Sequence, residues 1–559
     1  MNIALILQSN AAKFSDRTAI VEAGRRISFV ELDREAARAA RDLRRAGVAR
    51  GMRALVFSPM SIDLYTTMIG LFRLGATAVF VDPSAGTSSL SACIERVRPD
   101  AFVAVPKAHL LRMTSAAARR IPIKVFIGPR TAAVRRWFNR DSFPAEHVEP
   151  CDAETPAIIT FTSGTTGDAK ATVRSHGFLT AQHQALVESL ALKPREVDLT
   201  TLPIFVLANL ASGVTSIIPD ANLKAPGSID PVPVFDQIRA ERPTRMVASP
   251  ALLQRLVKHV GEIGLGLDTF EKIFTGGAPV FPRTLDEVKA VASKASVTAV
   301  YGSTEAEPIT SIDLQEIGEA DRVAMRQGAG VLAGSPIPSI QVRVLPDRWG
   351  QPIEAQHQVD FDREILSADC AGEIVVSGDH VLSGYLDGVG NRDTKIAVEN
   401  RVWHRTGDAG YFDRRGRLWL LGRCSAKVVD DSGVLYPLAV ECAASEVEGL
   451  RRSALVQHRG ERVLVVETDR DVPLLRETLL RRLAWARLVE VIAVSRIPVD
   501  HRHNAKTDLA ALTRMLDGIE IRSLHPAFVK SPAIAPAVVR MVPLRPRGTL
   551  NRHDSYNAS

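Results

Sequence analysis

Residues 158–176, IITFTSGTTGDAKATVRSH, join an apolar segment to a loop dense in serine, threonine and glycine. Glycines let the backbone approach an anion closely, and the backbone N–H groups and hydroxyls of such a loop supply hydrogen-bond donors. Lys170 adds a positive charge at the end of the loop. The spacing G-x4-G-K-[ST] of a Walker A loop is missing. The stretch therefore predicts a strand that leads into a polyphosphate-binding loop of another kind.

On both sides of this loop, short apolar runs alternate with helical patterns. The amphipathic residues 30–45 predict a helix, with Ser28 as its N-cap and Gly47 just past its end. A second helix is predicted over residues 63–74, and the alternation returns between Ala157 and Tyr301. Buried strands are predicted at residues 54–57, 77–81, 101–105 and 124–127. This βαβ pattern indicates an α/β fold with a largely parallel sheet covered by helices.

The pattern changes after Gly334, where short strands with turn residues between them predict a small β-rich subdomain. These strands are predicted at residues 342–345, 372–377 and 418–420. An α+β segment follows from about Cys424 to Leu516, and residues 517–559 hold five prolines and a net basic balance. We predict a large N-terminal domain (1–423), a small C-terminal domain (424–516) and an extended tail (517–559) of unknown role.

The composition limits the class of protein. The 559 residues are 46% hydrophobic and 24% charged, as in a globular protein with more than one core. The net charge is +7, but aromatic residues make up only 5% and no nucleic-acid motif is present, so we expect no nucleic-acid partner. Five cysteines without a CxxC pair argue against a disulfide framework or a Cys-rich zinc site. Residues 1–14 lack the basic region of a signal peptide, and we expect a cytoplasmic protein.

Residues 199–219 carry no charge and are long enough to cross a bilayer. The stretch also contains Pro203, Asn209 and Gly213. These residues favour a buried strand, a turn and a buried helix, so we expect no transmembrane segment.

The loop FTSGTTGDAK resembles the phosphate loop of the adenylate-forming superfamily, which contains acyl-CoA synthetases, nonribosomal-peptide adenylation domains and luciferases. Further motifs of that superfamily follow in its order. They are YGSTE (301–305), GEI with a later GY (372–374 and 384–385), HRTGD (404–408), GRLWLLGR (416–423) and NAK (504–506). The resemblance covers about residues 1–516 and implies a large adenylating domain followed by a small lid domain.

The resemblance implies an ATP site. Its phosphate-binding residues would be Thr162, Ser163, Gly164, Thr165, Thr166, Gly167 and Lys170. Tyr301 would lie near adenine, Asp408 would accept the ribose hydroxyls and Arg423 would contact ribose or phosphate. Further nucleotide contacts would come from Gly276, Gly302, Ser303 and Thr304.

The same resemblance implies three catalytic residues. Glu305 would ligate Mg²⁺, a hard cation that prefers oxygen ligands. Lys506 would reach the α-phosphate and the substrate carboxylate, and Lys170 would act in the phosphate loop. The implied reaction joins a carboxylic acid to AMP and releases pyrophosphate.

Several residues depart from the superfamily pattern. Val206 replaces a histidine that borders the acyl pocket, and Ser425 replaces an aspartate of the hinge. These departures, together with FTGGAP (274–279) and the run around RHNAK (502–506), resemble the olefin-biosynthesis β-lactone synthetases and related fatty-acid-ligase-like proteins. In that branch the hydroxyl of a β-hydroxy acid closes a lactone and releases AMP, without CoA.

Three other readings stay open from sequence. The acyl group could pass to CoA or to a carrier-protein thiol after adenylation. The chain could be a non-catalytic nucleotide-binding relative. It could also be a basic protein that associates with a membrane or with nucleic acid. The apolar residues 202–210 and 274–279 favour a lipophilic acid as substrate.

Overall fold

The computed structural model of this chain describes residues 2–82, 86–128, 147–162, 169–499, 507–518 and 540–541. The first part contains helices α1 (Ala4–Lys13), α2 (Phe29–Arg45), α3 (Ile62–Arg73), α4 (Thr87–Val97), α5 (Leu111–Thr114) and α6 (Ala116–Arg120). Its strands are β1 (Thr18–Glu22), β2 (Arg25–Ser28), β3 (Arg53–Phe57), β4 (Thr77–Phe80), β5 (Ala101–Ala104), β6 (Ile123–Phe126), β7 (Pro156–Thr162) and β8 (Lys170–Ser175).

The middle part continues the alternation of helices and strands. The helices are α7 (His176–Ser189), α8 (Pro203–Ser212), α9 (Pro231–Glu241), α10 (Pro250–Glu262), α11 (Pro282–Val291) and α12 (Glu319–Arg326). The strands are β9 (Val197–Thr200), β10 (Thr215–Ile218), β11 (Arg245–Ala248), β12 (Lys272–Gly276), β13 (Ser296–Ser303), β14 (Ala306–Asp313), β15 (Val331–Pro336) and β16 (Gln341–Leu345).

Strands predominate in the last part. The helices are α13 (Gln358–Glu364), α14 (Asn391–Thr394), α15 (Pro437–Ser445), α16 (Val472–Arg482) and α17 (Leu509–Asp517). The strands are β17 (Cys370–Ser377), β18 (Lys395–Val398), β19 (Arg401–Phe412), β20 (Leu418–Arg423), β21 (Val428–Asp430), β22 (Gly433–Leu435), β23 (Leu450–His458), β24 (Glu461–Thr468), β25 (Glu490–Val494) and β26 (Arg540–Met541).

The predicted parallel sheets are confirmed. One sheet has the order β6-β5-β3-β4-β7-β8 and is parallel except for the β7–β8 pair. A larger sheet runs β16-β17-β19-β20-β15-β14-β13-β12-β11-β9-β10-β1-β2, with a parallel run from β13 to β1 and antiparallel pairs beyond it. The β-rich part that the sequence predicts after Gly334 corresponds to β16–β20, while the antiparallel half of the sheet already begins with β14 at Ala306. The order β23-β24-β25 forms a separate sheet.

Local sequence explains the best-defined helix start. Ser28 accepts a hydrogen bond from the backbone of Glu31, and the Glu31 carboxylate accepts one from the backbone of Ser28. This reciprocal capping box satisfies two N–H groups that a helix start leaves unpaired. The predicted helix therefore begins at Phe29, one residue earlier than its hydrophobic period indicated.

Residues 199–219 form buried structure, as predicted. They contain the end of β9, the whole of α8 and also β10, a strand that the sequence did not reveal. Val206 is fully buried in α8. Among the described residues, no helix is both long and apolar enough to cross a membrane. All five cysteines are buried free thiols.

The tail prediction lies mostly outside the described residues. Only Arg540 and Met541 beyond residue 518 are described, and they pair as a short parallel strand with Cys370 and Ala371 of β17.

A buried ion pair joins two strands of the β-rich part, β17 and β19. Arg405 on β19 and Glu373 on β17 lie 2.6 Å apart, with side chains 0% and 1% exposed. The remaining guanidinium donors reach the backbone carbonyls of Gln351, Asp393 and Arg348. A buried charge is tolerated only when it is paired and hydrogen-bonded, and both conditions are met here.

Helix α15 belongs to two hydrophobic cores. One side packs with the large N-terminal core through Leu438, Ala439 and Cys442. The other side packs with residues of β23 and β24 through Val440, Ala443 and Ala444. The helix therefore connects the segment after Arg423 to the N-terminal body by direct packing. The domain boundary at residue 423 stays a prediction.

Glu441 on α15 makes the free energy of unfolding depend on pH. Burial raises the pKa of Glu441 to about 7 from 4.5, although a hydrogen bond from the Leu455 backbone, 3.1 Å away, opposes the shift. Between these values the folded state holds a proton that the unfolded chain has lost, so this group destabilises the fold increasingly as pH rises.

We expect Glu441→Gln to gain stability relative to the wild type between pH 5 and pH 8, by about 1–2 kcal/mol. The amide oxygen can keep the bond from Leu455 and carries no charge. Thermal unfolding of both proteins across this pH range measures the difference. Glu477→Gln, an exposed change on α16, is the control and should leave the pH profile unchanged. A constant difference across the range would contradict the assignment.

Candidate active site

The structure brings several predicted site residues to the junction of the two halves of the large sheet. Tyr301 lies near the end of β13, and Asp408 lies on β19. Arg423 ends β20 and is the register partner of Asp408. Strand pairing thus places motifs that are more than 100 residues apart in sequence beside one another.

Asp408 is oriented by two neighbours. The Tyr301 hydroxyl donates to Asp408 Oδ2 at 2.8 Å, and Arg423 Nε lies 3.2 Å from Asp408 Oδ1. Burial and the Asp408 carboxylate raise the pKa of the Tyr301 hydroxyl, which keeps it a proton donor. Each carboxylate oxygen has a second lone pair for a further donor. The geometry suits a carboxylate held ready to accept two hydroxyl groups.

Glu305 forms a second centre. It is 9% exposed, and the Tyr385 hydroxyl donates to its Oε1 at 3.0 Å. Two lysines face the ring of Tyr385, with Lys170 Nζ 5.6 Å and Lys395 Nζ 5.3 Å from the ring centroid. Ammonium groups at such distances are attracted by the ring face. One aromatic side chain therefore holds the carboxylate and lies against both cations.

Lys170 is buried at this centre. Its side chain is packed against Gly390, where a Cβ atom would lie 2.8 Å from Lys170 Cε. Gly390 also has a φ of +95°. Glycine therefore suits both the close approach of Lys170 and the left-handed backbone at this position. Burial lowers the pKa of Lys170, while Asp393 and Glu305 oppose that shift.

Sequence reasoning missed Lys395. This residue is buried on β18, donates to the carbonyl of Leu382 and lies 3.1 Å from His404 Nδ1. Burial lowers the pKa of Lys395 to about 7, with Lys170 acting in the same direction and Glu305 against it. The available signal was a lysine that directly precedes the apolar run Ile396–Val398.

Arg174 was also missed. It is buried on β8 and donates to the backbone carbonyl of Thr304 at 2.9 Å. Burial lowers its pKa, and the carboxylates of Glu307 and Glu305 oppose the shift. The sequence signal was its position, four residues after Lys170 on the strand that follows the phosphate loop.

The residues fit a nucleotide with its metal. Ser303 Oγ is buried and has no hydrogen-bond partner among the described residues, which leaves a polar atom for a ligand. No group of three or more His, Cys, Asp or Glu side chains in the described ranges could hold a metal. A single carboxylate such as Glu305 is the kind of site at which Mg²⁺ keeps water and phosphate oxygens as its other ligands.

Part of the predicted site lies outside the described residues. This holds for Ser163, Gly164, Thr165, Thr166, Gly167 and Lys506. The two ends of the phosphate loop are placed, because Thr162 and Lys170 are register partners on β7 and β8. Gly302 and Thr304 lie beside Tyr301 and Glu305. At Gly276 on β12 a Cβ would approach Val300 O to 2.4 Å, so close strand contact requires a glycine there.

The chain is similar to known proteins along most of its length. The family described as AMP-binding enzyme matches residues 7–386. An olefin beta-lactone synthetase of Stenotrophomonas maltophilia is 32% identical over 540 residues, which cover 90% of this chain and 96% of that protein. A 2-succinylbenzoate–CoA ligase of Enterococcus faecalis is 23% identical over 82% of this chain and 87% of its own length.

The fold has solved counterparts. ATP-bound MatB from Rhodopseudomonas palustris superposes with a TM-score of 0.74 at 22% identity, covering 93% of this chain and 99% of that one. The class that the fold and the site define is that of adenylate-forming enzymes. The chain belongs to the AMP-binding enzyme family and is an AMP-forming, acid-activating enzyme of the ligase and synthetase kind.

We expect Tyr385→Phe to weaken the response to Mg²⁺ because Glu305 loses the donor that orients it. The magnesium concentration for half-maximal activity should rise about tenfold, as for other partners of metal-binding side chains. Initial rates over a magnesium titration measure this. Tyr411→Phe is the matched control, since its buried hydroxyl donates to Ala329 O away from Glu305. Equal effects of the two variants would show that the Tyr385 hydroxyl acts only through stability.

Proposed function

We propose that this enzyme activates a lipophilic β-hydroxy carboxylic acid with ATP and then closes it to a β-lactone. The observation that carries the first half is the pair of centres around Asp408 and Glu305. One offers oriented acceptors for hydroxyl groups, and the other combines a buried carboxylate with buried lysines. Together they match the ribose and the metal-bound phosphates of ATP.

Each residue has a role in this proposal. Asp408 accepts the ribose hydroxyls, while Tyr301 and Arg423 fix its orientation and border the nucleotide. Glu305 would hold Mg²⁺, which would neutralise charge on the phosphates. Lys170 supports the phosphate loop of residues 162–170. Lys506 stabilises charge where the substrate carboxylate meets the α-phosphate.

The first half-reaction forms one bond and breaks one bond. A carboxylate oxygen attacks the α-phosphorus, and the bond to pyrophosphate breaks on the opposite side. No proton must move in this step. Positioning and electrostatic stabilisation therefore account for most of the rate, and buried cations are effective because little water screens them.

The second half-reaction is argued from the relatives and from two substitutions. The β-lactone synthetase relative matches over 90% of this chain, and Val206 and Ser425 replace the usual histidine and aspartate. In the proposed step the β-hydroxyl oxygen bonds to the acyl carbon and the bond to the AMP oxygen breaks. The hydroxyl proton leaves to solvent and AMP is released. CoA has no part in it.

A small apolar cavity would take only a short apolar part of a lipophilic acid. It lies between α1, α7 and α8 and is lined mostly by aliphatic side chains, among them Leu179, Leu186 and Leu207. Gln182 at its wall donates to the carbonyl of Glu307, two residues from Glu305. Gln182 therefore links the cavity wall to β14, the strand that follows the YGSTE motif.

Transfer to a thiol is the second candidate. The relation to a 2-succinylbenzoate–CoA ligase favours it, because the match extends over most of both chains. In that case CoA or a carrier-protein thiol, in place of the internal hydroxyl, would attack the acyl carbon.

Exchange of labelled pyrophosphate into ATP tests the adenylation site. We expect exchange to depend on a β-hydroxy fatty acid, and to fall about 100-fold or more in Lys506→Ala and at least tenfold in Asp408→Asn. Asp369→Asn removes a carboxylate paired with the exposed Arg414, so it is the control and should keep wild-type exchange. Undiminished exchange in both site variants would refute the assignment.

Product analysis tests the second half-reaction. With ATP, Mg²⁺ and a β-hydroxy fatty acid, we expect AMP and a β-lactone in equal amounts, with or without CoA. The same acid without its hydroxyl should give adenylate and no lactone, which provides the matched substrate control. Mass spectrometry identifies the products. If acyl-CoA accumulates when CoA is supplied and no lactone forms, lactone closure is contradicted and transfer to a thiol is supported.

A further inference from the structure

The segment from Pro106 to Phe126, which we name the 106–126 surface, differs from the rest of the exterior. It connects β5 to the edge strand β6 through a short 3₁₀ turn (Pro106–Leu110), α5 and α6. Three large apolar side chains are exposed there: Leu110 at 60%, Met113 at 73% and Phe126 at 66%. Single exposed apolar residues are ordinary, but three in one short segment need a reason.

The charge of this surface has one sign. The segment contains Lys107, Arg112, Arg119, Arg120 and Lys124, and no aspartate or glutamate. Lys107, Arg119, Arg120 and Lys124 are exposed. Lys124 and Phe126 also alternate with half-buried residues on β6, so they share one exposed face of that strand. Exposed cations and exposed apolar side chains therefore alternate along this one segment.

A specific contact joins Phe126 to the turn that precedes α5. The buried ring of His109 stacks on Phe126 with 3.9 Å between centroids, and His109 Nε2 lies 3.2 Å from the carbonyl of Val125. Leu110 adjoins His109 in sequence, and Met113 follows at i+3, a spacing that places two residues on one side of a helical turn. The edge strand and the helical turn are thus joined through one imidazole.

Arginines fix this turn from outside. Arg112 lies 3.2 Å from His109 Nδ1, and Arg119 donates to the carbonyls of Arg112 and Met113 at 3.1 and 3.0 Å. The exposed position of Leu110 and Met113 is therefore part of an ordered, hydrogen-bonded structure. Both guanidinium groups keep their charge while they make these bonds.

We propose that the 106–126 surface binds the anionic headgroup region of a phospholipid bilayer. Leu110, Met113 and Phe126 would enter the boundary between headgroups and acyl chains. The exposed Lys and Arg side chains would meet anionic lipid phosphates, with their aliphatic stems along the apolar layer.

The mixture of side chains favours a bilayer over other anionic partners. A nucleic acid would use the cations and flat aromatic faces, yet one face of Phe126 is already stacked on His109 and the other two apolar residues are aliphatic. An acidic protein would account for the charge alone. A bilayer accounts for both exposed aliphatic chains and one-signed charge.

The surface lies away from the site. In the six-stranded sheet, β6 is at one edge and β8, which carries Lys170, is at the other. Five strand spacings separate them, or roughly 24 Å. A bilayer at β6 leaves the centre around Glu305 free, and this inference holds whichever acid the enzyme activates.

Vesicle sedimentation with the full chain tests the proposal. We expect binding to vesicles of phosphatidylcholine and phosphatidylglycerol in equal parts to exceed binding to pure phosphatidylcholine by about tenfold or more. Leu110→Gln with Met113→Gln should reduce binding to the mixed vesicles by about tenfold, and Lys107→Glu with Lys124→Glu should abolish the preference for anionic lipid.

The matched control replaces two exposed apolar residues elsewhere, Val359→Gln with Leu474→Gln, which are 61% and 64% exposed in the wild type. This variant should bind as the wild type does. An unchanged circular-dichroism melting curve establishes that each variant is folded. Failure of the wild type to bind mixed vesicles would overturn the proposal, as would equal losses in the control. A third outcome would also overturn the proposal, in favour of a nucleic-acid partner. In it, the protein binds duplex DNA but not vesicles, and the Leu110→Gln, Met113→Gln variant still binds the DNA.

Discussion

The buried ion pair between Arg405 and Glu373 holds the strands on which the site is built. Arg405 lies three residues before Asp408 on β19, and its guanidinium also binds the carbonyl of Asp393, two residues before Lys395. One side chain thus fixes both the strand that presents the carboxylate and the segment that presents a buried lysine. Because loss of either partner would leave a buried charge unpaired, the pair constrains the whole β-rich half.

Electrostatics at the site follow from that framework. Lys170 and Lys395 approach from different strands and would repel each other strongly without neighbours. Tyr385 lies against both ammonium groups, and its hydroxyl binds Glu305, so that negative charge and a polarisable ring lie near the two cations. The protein's own contacts hold this arrangement in place. A triphosphate would then enter a preorganised field and would need little rearrangement of the protein.

The sequence predicted elements whose signals are local. The period of α2 and its cap at Ser28, and the apolar runs of β3 to β7, depend on near neighbours and were found within a few residues. The motifs also identified Asp408, Glu305 and Lys170 as candidates. Lys395 and the pairing of Tyr385 with Glu305 escaped, because a lone lysine resembles a surface residue and the two partners are 80 residues apart. The roles of the phosphate loop and of Lys506, and the boundary at residue 423, stay predictions.

Helix α15 has a consequence for how the enzyme responds to temperature. Its apolar residues join both cores, so any rotation of the segment after Arg423 against the N-terminal body must expose one of its faces to water. The cost of that exposure is hydrophobic, and this contribution weakens on cooling. The packing of α15 between the two cores should therefore be least stable at low temperature. Warming would favour the arrangement in which both faces of α15 are buried.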